Sequence, residues 1–297
     1  MFETIMTGTG LALITPFKED FSIDFDALAN LIEYTIEGGV EYLVALGTTG
    51  ESVTLTKDEK KQVYAFIAQQ AKGRVAVVAG IGGNNTAEVI EQFGLINPDH
   101  FDAILSVSPY YNKPNQQGIL NHYMAIEKHS PLPIILYNVP GRTGSNMSVQ
   151  TTLTLANASD KFIAIKEASG NAEQFMDLLN EKPADFNIIS GDDNLTLPFL
   201  AMGMSGVISV IGQAYPKAFS TMVRLGLDGR FEEARQLHYT YYNLMKSIFA
   251  DGNPGGIKAL LCIMGICKNV LRMPLTPVNE QVFEKLNNLH KQVLSSI

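Results

Sequence analysis

The sequence predicts an α/β fold, a (β/α)8 barrel of the TIM type with a C-terminal helical extension. Eight short apolar runs recur up to residue 210, and segments with helical spacing lie between them. Strands separated by amphipathic helices pair in parallel, and eight such units close naturally into a barrel. We expect the barrel, with the functional site, over residues 1–215 and the helical extension, packed on the barrel, over residues 216–297.

The predicted strands are runs of four or five mostly apolar residues: 11–15, 42–46, 75–79, 103–107, 134–138, 162–166, 187–190 and 206–210. The clearest helix start is Thr56, where Glu59 completes a capping box, and a further start is indicated at Asn85. From about residue 216 the pattern indicates three or more helices and no strand, including an amphipathic stretch over 231–249.

A doubly wound parallel sheet is the alternative fold. Its dinucleotide-binding members carry a Gly-x-Gly-x-x-Gly turn directly after a strand. The glycine-rich turn at 80–83 comes near this pattern but has Asn85 where the third glycine belongs. The incomplete fingerprint favours the barrel.

The charge balance limits the partners. The chain has 30 acidic and 22 basic residues, a formal charge of -8, and no run rich in Lys or Arg, so nucleic acid and anionic membranes are not expected to bind. No stretch approaches the ~18 unbroken apolar residues of a membrane helix, and no basic region precedes the first apolar stretch. We expect a soluble cytoplasmic protein with reduced cysteines.

Lys166 ends the sixth predicted strand, and lysine is the side chain that forms an imine with a keto acid. A lysine amine is mostly protonated at neutral pH unless burial or a nearby cation lowers its pKa, and a barrel interior offers such burial. Period-two alternation puts Phe162, Ala164 and Lys166 on one face of the strand and Ile163 and Ile165 on the other. A strand that simply ends at a solvated lysine is the alternative interpretation.

Other predicted strands also end in polar residues, and the strand ends carry the active site of a β/α barrel. The turn at 47–51 offers threonine hydroxyls and N–H groups suited to a carboxylate. Tyr111 follows strand four and Tyr137 lies at the end of strand five; both could relay protons, while Arg142 could bind a second carboxylate. An ordinary turn and packed tyrosines are the alternatives, and Asp193 could merely cap a helix.

Metal and cofactor chemistry receive little support. The five histidines are scattered without ligand spacing, so we predict no metal, and no Gly-x-Ser-x-Gly elbow indicates a serine hydrolase. Lys166 could instead carry pyridoxal phosphate, with residues 80–85 as the phosphate cradle, but a glycine-rich turn alone is weak support. We therefore predict no cofactor.

Several of these segments together resemble the dihydrodipicolinate synthase family. The resemblance rests on GTTGE at 47–51, PYYNKP at 109–114, YNVP at 137–140 followed by Arg142, and IKEASGN around Lys166. It runs in order from about residue 7 to 275 and includes residues 190–193, 206–210 and Asn253-Pro254 before Lys258. The wider kinship is with N-acetylneuraminate lyase and other pyruvate-dependent aldolases. The Gly-x-x-Gly-Glu turn and the lysine are common to all of these, whereas Arg142 and the paired threonines are typical of the synthases.

The resemblance implies a class I aldol condensation of pyruvate with L-aspartate-4-semialdehyde, in the diaminopimelate route to lysine, through a covalent pyruvate imine on Lys166. It implies these site residues: Lys166, Tyr137, Thr48 and Tyr111 as catalytic, and Thr49, Arg142, Ile208 and Gly191 as substrate-binding. Tyr137 would be the proton shuttle, and Thr48 would connect it to Tyr111 of a neighbouring subunit. Arg142 would hold the carboxylate of the semialdehyde.

The resemblance also implies assembly and regulation. The family is typically a homotetramer, a dimer of tight dimers. A possible allosteric lysine site is implied at Val53, Lys57, Lys60, Asn84, Glu88 and Tyr110. Lysine-inhibited synthases often carry two histidines where Lys57 and Lys60 stand here. Two ammonium groups repel a cationic ligand, so we predict weak or absent feedback inhibition.

Two other functions stay open. An N-acetylneuraminate lyase or a 2-keto-3-deoxy sugar acid aldolase or dehydratase would use the same imine, and Arg142 argues against it. A catalytically silent barrel that acts by binding would be expected to have lost one of the polar strand ends, and none is lost.

Overall fold

The computed structural model describes residues 6–296 and forms a closed barrel of eight parallel strands in sequential order. The strands are β1 Gly8–Ala12, β2 Tyr42–Ala45, β3 Ala76–Gly80, β4 Ala103–Val107, β5 Ile134–Asn138, β6 Phe162–Glu167, β7 Asn187–Ser190 and β8 Gly206–Ser209. Pairing of β1 with β8 closes the sheet. The predicted (β/α)8 barrel is confirmed, and the predicted first strand was placed three residues too late.

Twelve helices accompany these strands in the described part of the chain. They are α1 Phe25–Glu37, α2 Lys57–Ala71, α3 Thr86–Gln92, α4 Gln116–His129, α5 Pro140–Thr143, α6 Val149–Ala158, α7 Ala172–Glu181, α8 Thr196–Met202, α9 Pro216–Leu227, α10 Phe231–Ser247, α11 Gly255–Ile263 and α12 Glu280–Ser296. The predicted capping box is present, since Thr56 accepts from the Glu59 N–H and the Glu59 carboxylate accepts from the Thr56 N–H. Asn85 caps α3 as predicted. None of the helices within residues 6–296 is long and apolar enough to cross a membrane.

Two apolar layers hold the barrel together. One fills the space between the strands and the surrounding helices, and the other fills the barrel interior. Alternate strand residues divide between the layers, as Leu43 and Val44 do on β2. Burial of these side chains is the main stabilising contribution to the fold.

A β-bulge on β6 interrupts the predicted alternation. Ile134 pairs with Phe162 and Ile135 pairs with Ala164, so Ile163 is an extra residue on β6. Phe162 consequently packs in the outer layer and Ile163 in the inner one, opposite to the prediction for both. Ala164 keeps its predicted place in the interior, and beyond the bulge Lys166 follows it on the same face.

The helices after β8 extend the fold on one side. Helix α9 packs against β1, α1 and α8, which completes the outer ring of helices. Helix α10 packs on α8 and α9, and α12 packs on α10 and α11. Helix α10 also reaches the carboxyl end of the barrel, where Met245 and Lys246 line a cavity. The division of the chain at residue 215 stays a prediction.

Candidate active site

The carboxyl ends of the strands enclose a cavity of about 430 Å³. Six of the residues predicted from the sequence line it: Thr48, Thr49, Tyr137, Arg142, Lys166 and Gly191. They come from the ends of β2, β5, β6 and β7, which sequential pairing brings to one rim. The remaining wall is formed in part by α10 and the segment after it, through Met245, Lys246, Phe249 and Asn253.

Lys166 and Tyr137 lie side by side. They are register partners on β6 and β5, and the Lys166 Nζ atom stands 4.5 Å from the centre of the Tyr137 ring. Both side chains are buried, with exposed fractions of 5% and 7%. A Cβ atom at Gly191 would stand 3.1 Å from Lys166 Cε and 2.5 Å from Ala168 Cβ, so a side chain there would crowd the lysine. The absence of a side chain at Gly191 therefore keeps the amine accessible from the cavity.

The threonine turn after β2, residues 47–51, is a single 3₁₀ turn over Thr48–Gly50 followed by Glu51 in the left-handed region. Thr49 is buried and accepts a hydrogen bond from the Asn253 side chain at 3.0 Å. Thr48 is exposed to the cavity mouth. Within residues 6–296 neither the Thr48 hydroxyl nor the Tyr137 hydroxyl has a hydrogen-bond partner, and the relay through Thr48 to Tyr111 of a neighbouring subunit stays a prediction.

Arg142 lies on the short helix α5, which Pro140 begins and Gly144 ends in a left-handed conformation. Its guanidinium has neither a hydrogen bond nor an ion pair with any described residue from 6 to 296, and it lines the cavity. An unpaired planar cation facing a cavity suits a carboxylate ligand.

Two consecutive aspartates stand at the end of β7 in different surroundings. Asp193 is fully buried and accepts from the N–H groups of Val210 and Ile211, at 3.2 and 2.8 Å. It therefore ties β7 to the end of β8, and the suggestion that it caps the following helix was wrong. Asp192 faces the cavity, and its Oδ2 atom is buried without a hydrogen-bond partner inside the described chain. Burial raises the pKa of Asp192 to about 6, the Lys166 charge opposes this shift, and the Asp193 charge adds to it.

The buried hydrogen-bond network around Glu167 was not predicted from the sequence. Glu167 follows Lys166, points away from the cavity and is fully buried. Asn138, Gln174 and the Ser169 N–H donate to its carboxylate at 2.8–3.1 Å. Burial raises the pKa of Glu167, and these donors oppose the shift. The network fixes the ends of β5 and β6, and with them the spacing of Tyr137 and Lys166.

The glycine-rich turn at 80–83 has a packing role. A Cβ atom at Gly80 would stand 2.7 Å from the Gly47 nitrogen, and one at Gly82 would stand 2.8 Å from the Val107 nitrogen. These glycines allow the ends of β3 and its neighbours to approach closely. Their presence is explained without a phosphate cradle.

Comparison with known proteins agrees with this geometry. A sequence model of the dihydrodipicolinate synthetase family matches residues 5–293. The chain belongs to this family. It is 50% identical, over 99% of both chains, to the 4-hydroxy-tetrahydrodipicolinate synthase of Parabacteroides distasonis.

Solved structures of family members have the same fold. The dihydrodipicolinate synthase of Acinetobacter baumannii, a chloride-inhibited form complexed with pyruvate, is 37% identical with a TM-score of 0.94, over 97% of this chain and 99% of that chain. The synthase of Cyanidioschyzon merolae with lysine bound is also 37% identical with a TM-score of 0.94, over 97% and 98% of the two chains.

Two of the predicted site residues, Ile208 and Tyr111, do not line the cavity at the strand ends. Ile208 is fully buried in the barrel interior, so only its main chain could take part. Tyr111 is 87% exposed and has a φ of 72°, which is unusual for a bulky residue. An exposed aromatic side chain on a strained backbone is a candidate for contact with another molecule.

A second cavity of about 510 Å³ adjoins the first. Five of the six residues predicted for the allosteric site line it, namely Val53, Lys60, Asn84, Glu88 and Tyr110, whereas Lys57 does not. The two cavities share Thr48, Tyr137 and Arg142 in their walls. Partial burial lowers the pKa of Lys60, and the charge of Lys57 lowers it further. Besides Lys60, the charged side chains that line this second cavity in the described chain are Glu88 and Arg142.

No group of three or more His, Cys, Asp or Glu side chains that could hold a metal occurs within residues 6–296. The two cysteines are free and half-buried. The prediction that the reaction needs no metal or other cofactor stays a prediction.

Proposed function

We propose that this chain is a 4-hydroxy-tetrahydrodipicolinate synthase, a lyase that condenses pyruvate with L-aspartate-4-semialdehyde through an imine on Lys166. One observation carries the proposal. Lys166 and Tyr137 lie against each other in a cavity that also holds paired threonines and an arginine with no partner in the described chain. Relatives that match the whole chain and are named as this synthase support it. We expect the enzyme to act in the cytoplasm.

The first half of the reaction takes place on pyruvate. The unprotonated Lys166 amine attacks the keto carbon, the carbinolamine loses water, and a protonated imine forms. The methyl carbon then loses a proton, and the electron pair of the broken C–H bond forms the double bond of the enamine. The Tyr137 hydroxyl is the proposed proton carrier, because its ring lies beside Lys166 and the phenol has no competing partner inside the described chain. Thr49 and main-chain N–H groups near Thr48 and Ile208 seat the pyruvate carboxylate.

The second half joins the acceptor. The enamine carbon attacks the aldehyde of aspartate semialdehyde, whose oxygen takes a proton. The amino group of the new chain then attacks the imine carbon and displaces Lys166, which closes the ring. Arg142 holds the acceptor carboxylate in this proposal, because its planar guanidinium lines the cavity and has no ion pair or hydrogen bond within residues 6–296.

The proposed proton path requires a neighbouring subunit. Tyr111 is exposed and does not line the cavity of its own chain, so it would complete the path of a partner through Thr48. We therefore propose a homotetramer built from tight dimers, in which each tight dimer exchanges Tyr111 side chains.

The adjoining cavity is the proposed regulatory site. Asn84, Glu88 and Tyr110 offer polar groups to an amino acid, but Lys60 lies among them and Lys57 stands nearby. Both ammonium groups oppose the side chain of lysine, so regulation by lysine is weak in this enzyme.

A coupled assay tests the proposed function. Pyruvate and aspartate-4-semialdehyde are supplied to the wild type and to Lys166→Ala, and a reductase that consumes NADPH reports the product. We expect turnover by the wild type alone. A folded wild type without turnover would contradict the proposed acceptor.

A further inference from the structure

The chain segment 253–258 contacts the threonine turn at two points. The Asn253 Nδ2 atom donates to Thr49 Oγ1 at 3.0 Å, although the two residues are 204 positions apart. The Lys258 Nζ atom forms an ion pair with Glu51, in which both side chains are fully buried. The region after the barrel therefore helps to set the conformation of a turn that follows β2.

The Asn253 contact determines how the Thr49 hydroxyl can act. A threonine hydroxyl has one proton and two lone pairs. The Asn253 amide N–H donates to one of the lone pairs of the Thr49 oxygen. Among residues 6–296 no oxygen accepts the Thr49 proton, and the side chain lines the cavity. The hydroxyl is therefore free to donate into the cavity, which suits an anionic carboxylate. In the reversed amide orientation Thr49 would donate to Asn253 and present only lone pairs to that anion.

The Lys258 contact fixes the backbone beneath the turn. Glu51 has a φ of 53°, which is costly for a residue other than glycine. Its carboxylate pairs with Lys258 and accepts from the Arg272 N–H at 3.1 Å. Lys258 in turn donates to the Val270 carbonyl at 2.9 Å and lies over the Phe17 ring. Several interactions thus hold Glu51 in a conformation that it would not adopt alone.

We propose that Asn253, Glu51 and Lys258 are positioning residues, which hold the threonine turn so that the Thr49 hydroxyl donates to the carboxylate of the bound keto acid. The inference rests on the proposed function, which supplies that carboxylate. The three residues act through the turn and take no part in bond making.

Borohydride trapping at graded pyruvate concentrations tests the role of Asn253. Asn253→Ala should raise the half-saturating pyruvate concentration about 5- to 10-fold, the usual effect of one hydrogen bond, with full trapping at saturation. Asn253→Asp keeps the shape but offers only acceptors, so it should raise this concentration further. Asn243→Ala, at an exposed position on α10, is the matched control and should behave as the wild type.

A double-mutant cycle separates positioning from a general structural effect. If Asn253 acts through Thr49, Thr49→Val and the double variant with Asn253→Ala should have the same half-saturating pyruvate concentration. Multiplying effects would overturn the proposal, as would a folded Asn253→Ala variant with the wild-type value. If that variant does not fold, the isosteric Asn253→Asp carries the test, and a wild-type value there overturns the proposal. A wild type that traps no pyruvate would instead contradict the proposed function.

Discussion

Glu51 and Lys258 form an ion pair in which neither side chain is exposed, and this pair joins the threonine turn after β2 to helix α11. Burial lowers the pKa of Lys258, and the Glu51 charge opposes that shift. Breaking a buried pair leaves one charge without compensation in a medium of low polarity, which costs far more than breaking a pair at the surface. The pair therefore links the integrity of the active site to that of the C-terminal helices.

Lys258→Met should destabilise the protein by about 3–5 kcal/mol in chemical denaturation, because it leaves the Glu51 carboxylate buried without its cation. Adding Glu51→Gln should restore part of the loss. Lys268→Met is the matched control, because Lys268 pairs with Glu19 at an exposed surface and its removal should change stability little. Equal losses for the two lysine variants would contradict this account of the pair.

Arg142→Ala should raise the half-saturating concentration of aspartate-4-semialdehyde about 10- to 100-fold, because a charged hydrogen bond to the acceptor is lost. Steady-state kinetics measures the change. Pyruvate trapping on Lys166 should change much less, since Arg142 belongs to the acceptor side of the proposal. Arg230→Ala, at a surface arginine paired with Glu233, is the control. A larger effect on pyruvate than on the semialdehyde would show that the assignment is wrong.

Tyr111→Phe should lower turnover by about 100-fold or more if its hydroxyl belongs to the proton path. Tyr239→Phe, at an exposed tyrosine on α10, should leave turnover unchanged. Co-expression of Tyr111→Phe with Lys166→Ala gives the sharper result. In a mixed dimer one chain keeps Lys166 and the other keeps Tyr111. If Tyr111 acts across the interface, these two native residues meet in one site, so activity should return. Mixed dimers that form and stay inactive would exclude the shared site.

Lysine at sub-millimolar concentration should leave more than half of the activity. The ammonium groups of Lys57 and Lys60 disfavour a cationic ligand in the adjoining cavity. Replacing both with histidine should increase inhibition near neutral pH, where histidine is mostly uncharged. Strong inhibition of the wild type would contradict the prediction.

Asp192→Asn should change the dependence of stability on pH. Burial raises the pKa of Asp192 to about 6, so the folded state binds this proton more tightly than the unfolded state. The wild type therefore loses stability as pH rises through about 6, when the charged carboxylate must stay buried. At pH 8 the amide variant should melt roughly 2–4 °C higher, and at pH 5 the difference should shrink. An equal difference at both values would mean that Asp192 is not the titrating group.

The sequence predicts the barrel well because its pattern is local and repeated. Strand ends such as Lys166 and Tyr137 are found by counting apolar runs, and parallel pairing then brings them together. The bulge at Ile163 was not predictable in this way, since an inserted apolar residue does not change the appearance of the apolar run 162–165.

The long-range contacts of the site were also beyond the sequence pattern. Glu167 and Asp192 look like ordinary surface carboxylates in sequence, and only tertiary structure places one in a buried network and the other against the cavity. The contact of Asn253 with Thr49 joins segments 204 residues apart, and no local periodicity encodes such a contact. Resemblance to a known family supplied the predicted roles of Thr48 and Tyr111, which residue type alone left open.

The most direct measurement of the central claim is borohydride reduction of the wild type with pyruvate, followed by peptide mass spectrometry. We predict a single reduced pyruvate adduct on the peptide that contains Lys166, and none in Lys166→Ala. Lys161→Ala, at a partly exposed lysine just before β6, is the control and should still form the adduct. An adduct on another lysine, or no adduct in folded wild type, would contradict the account.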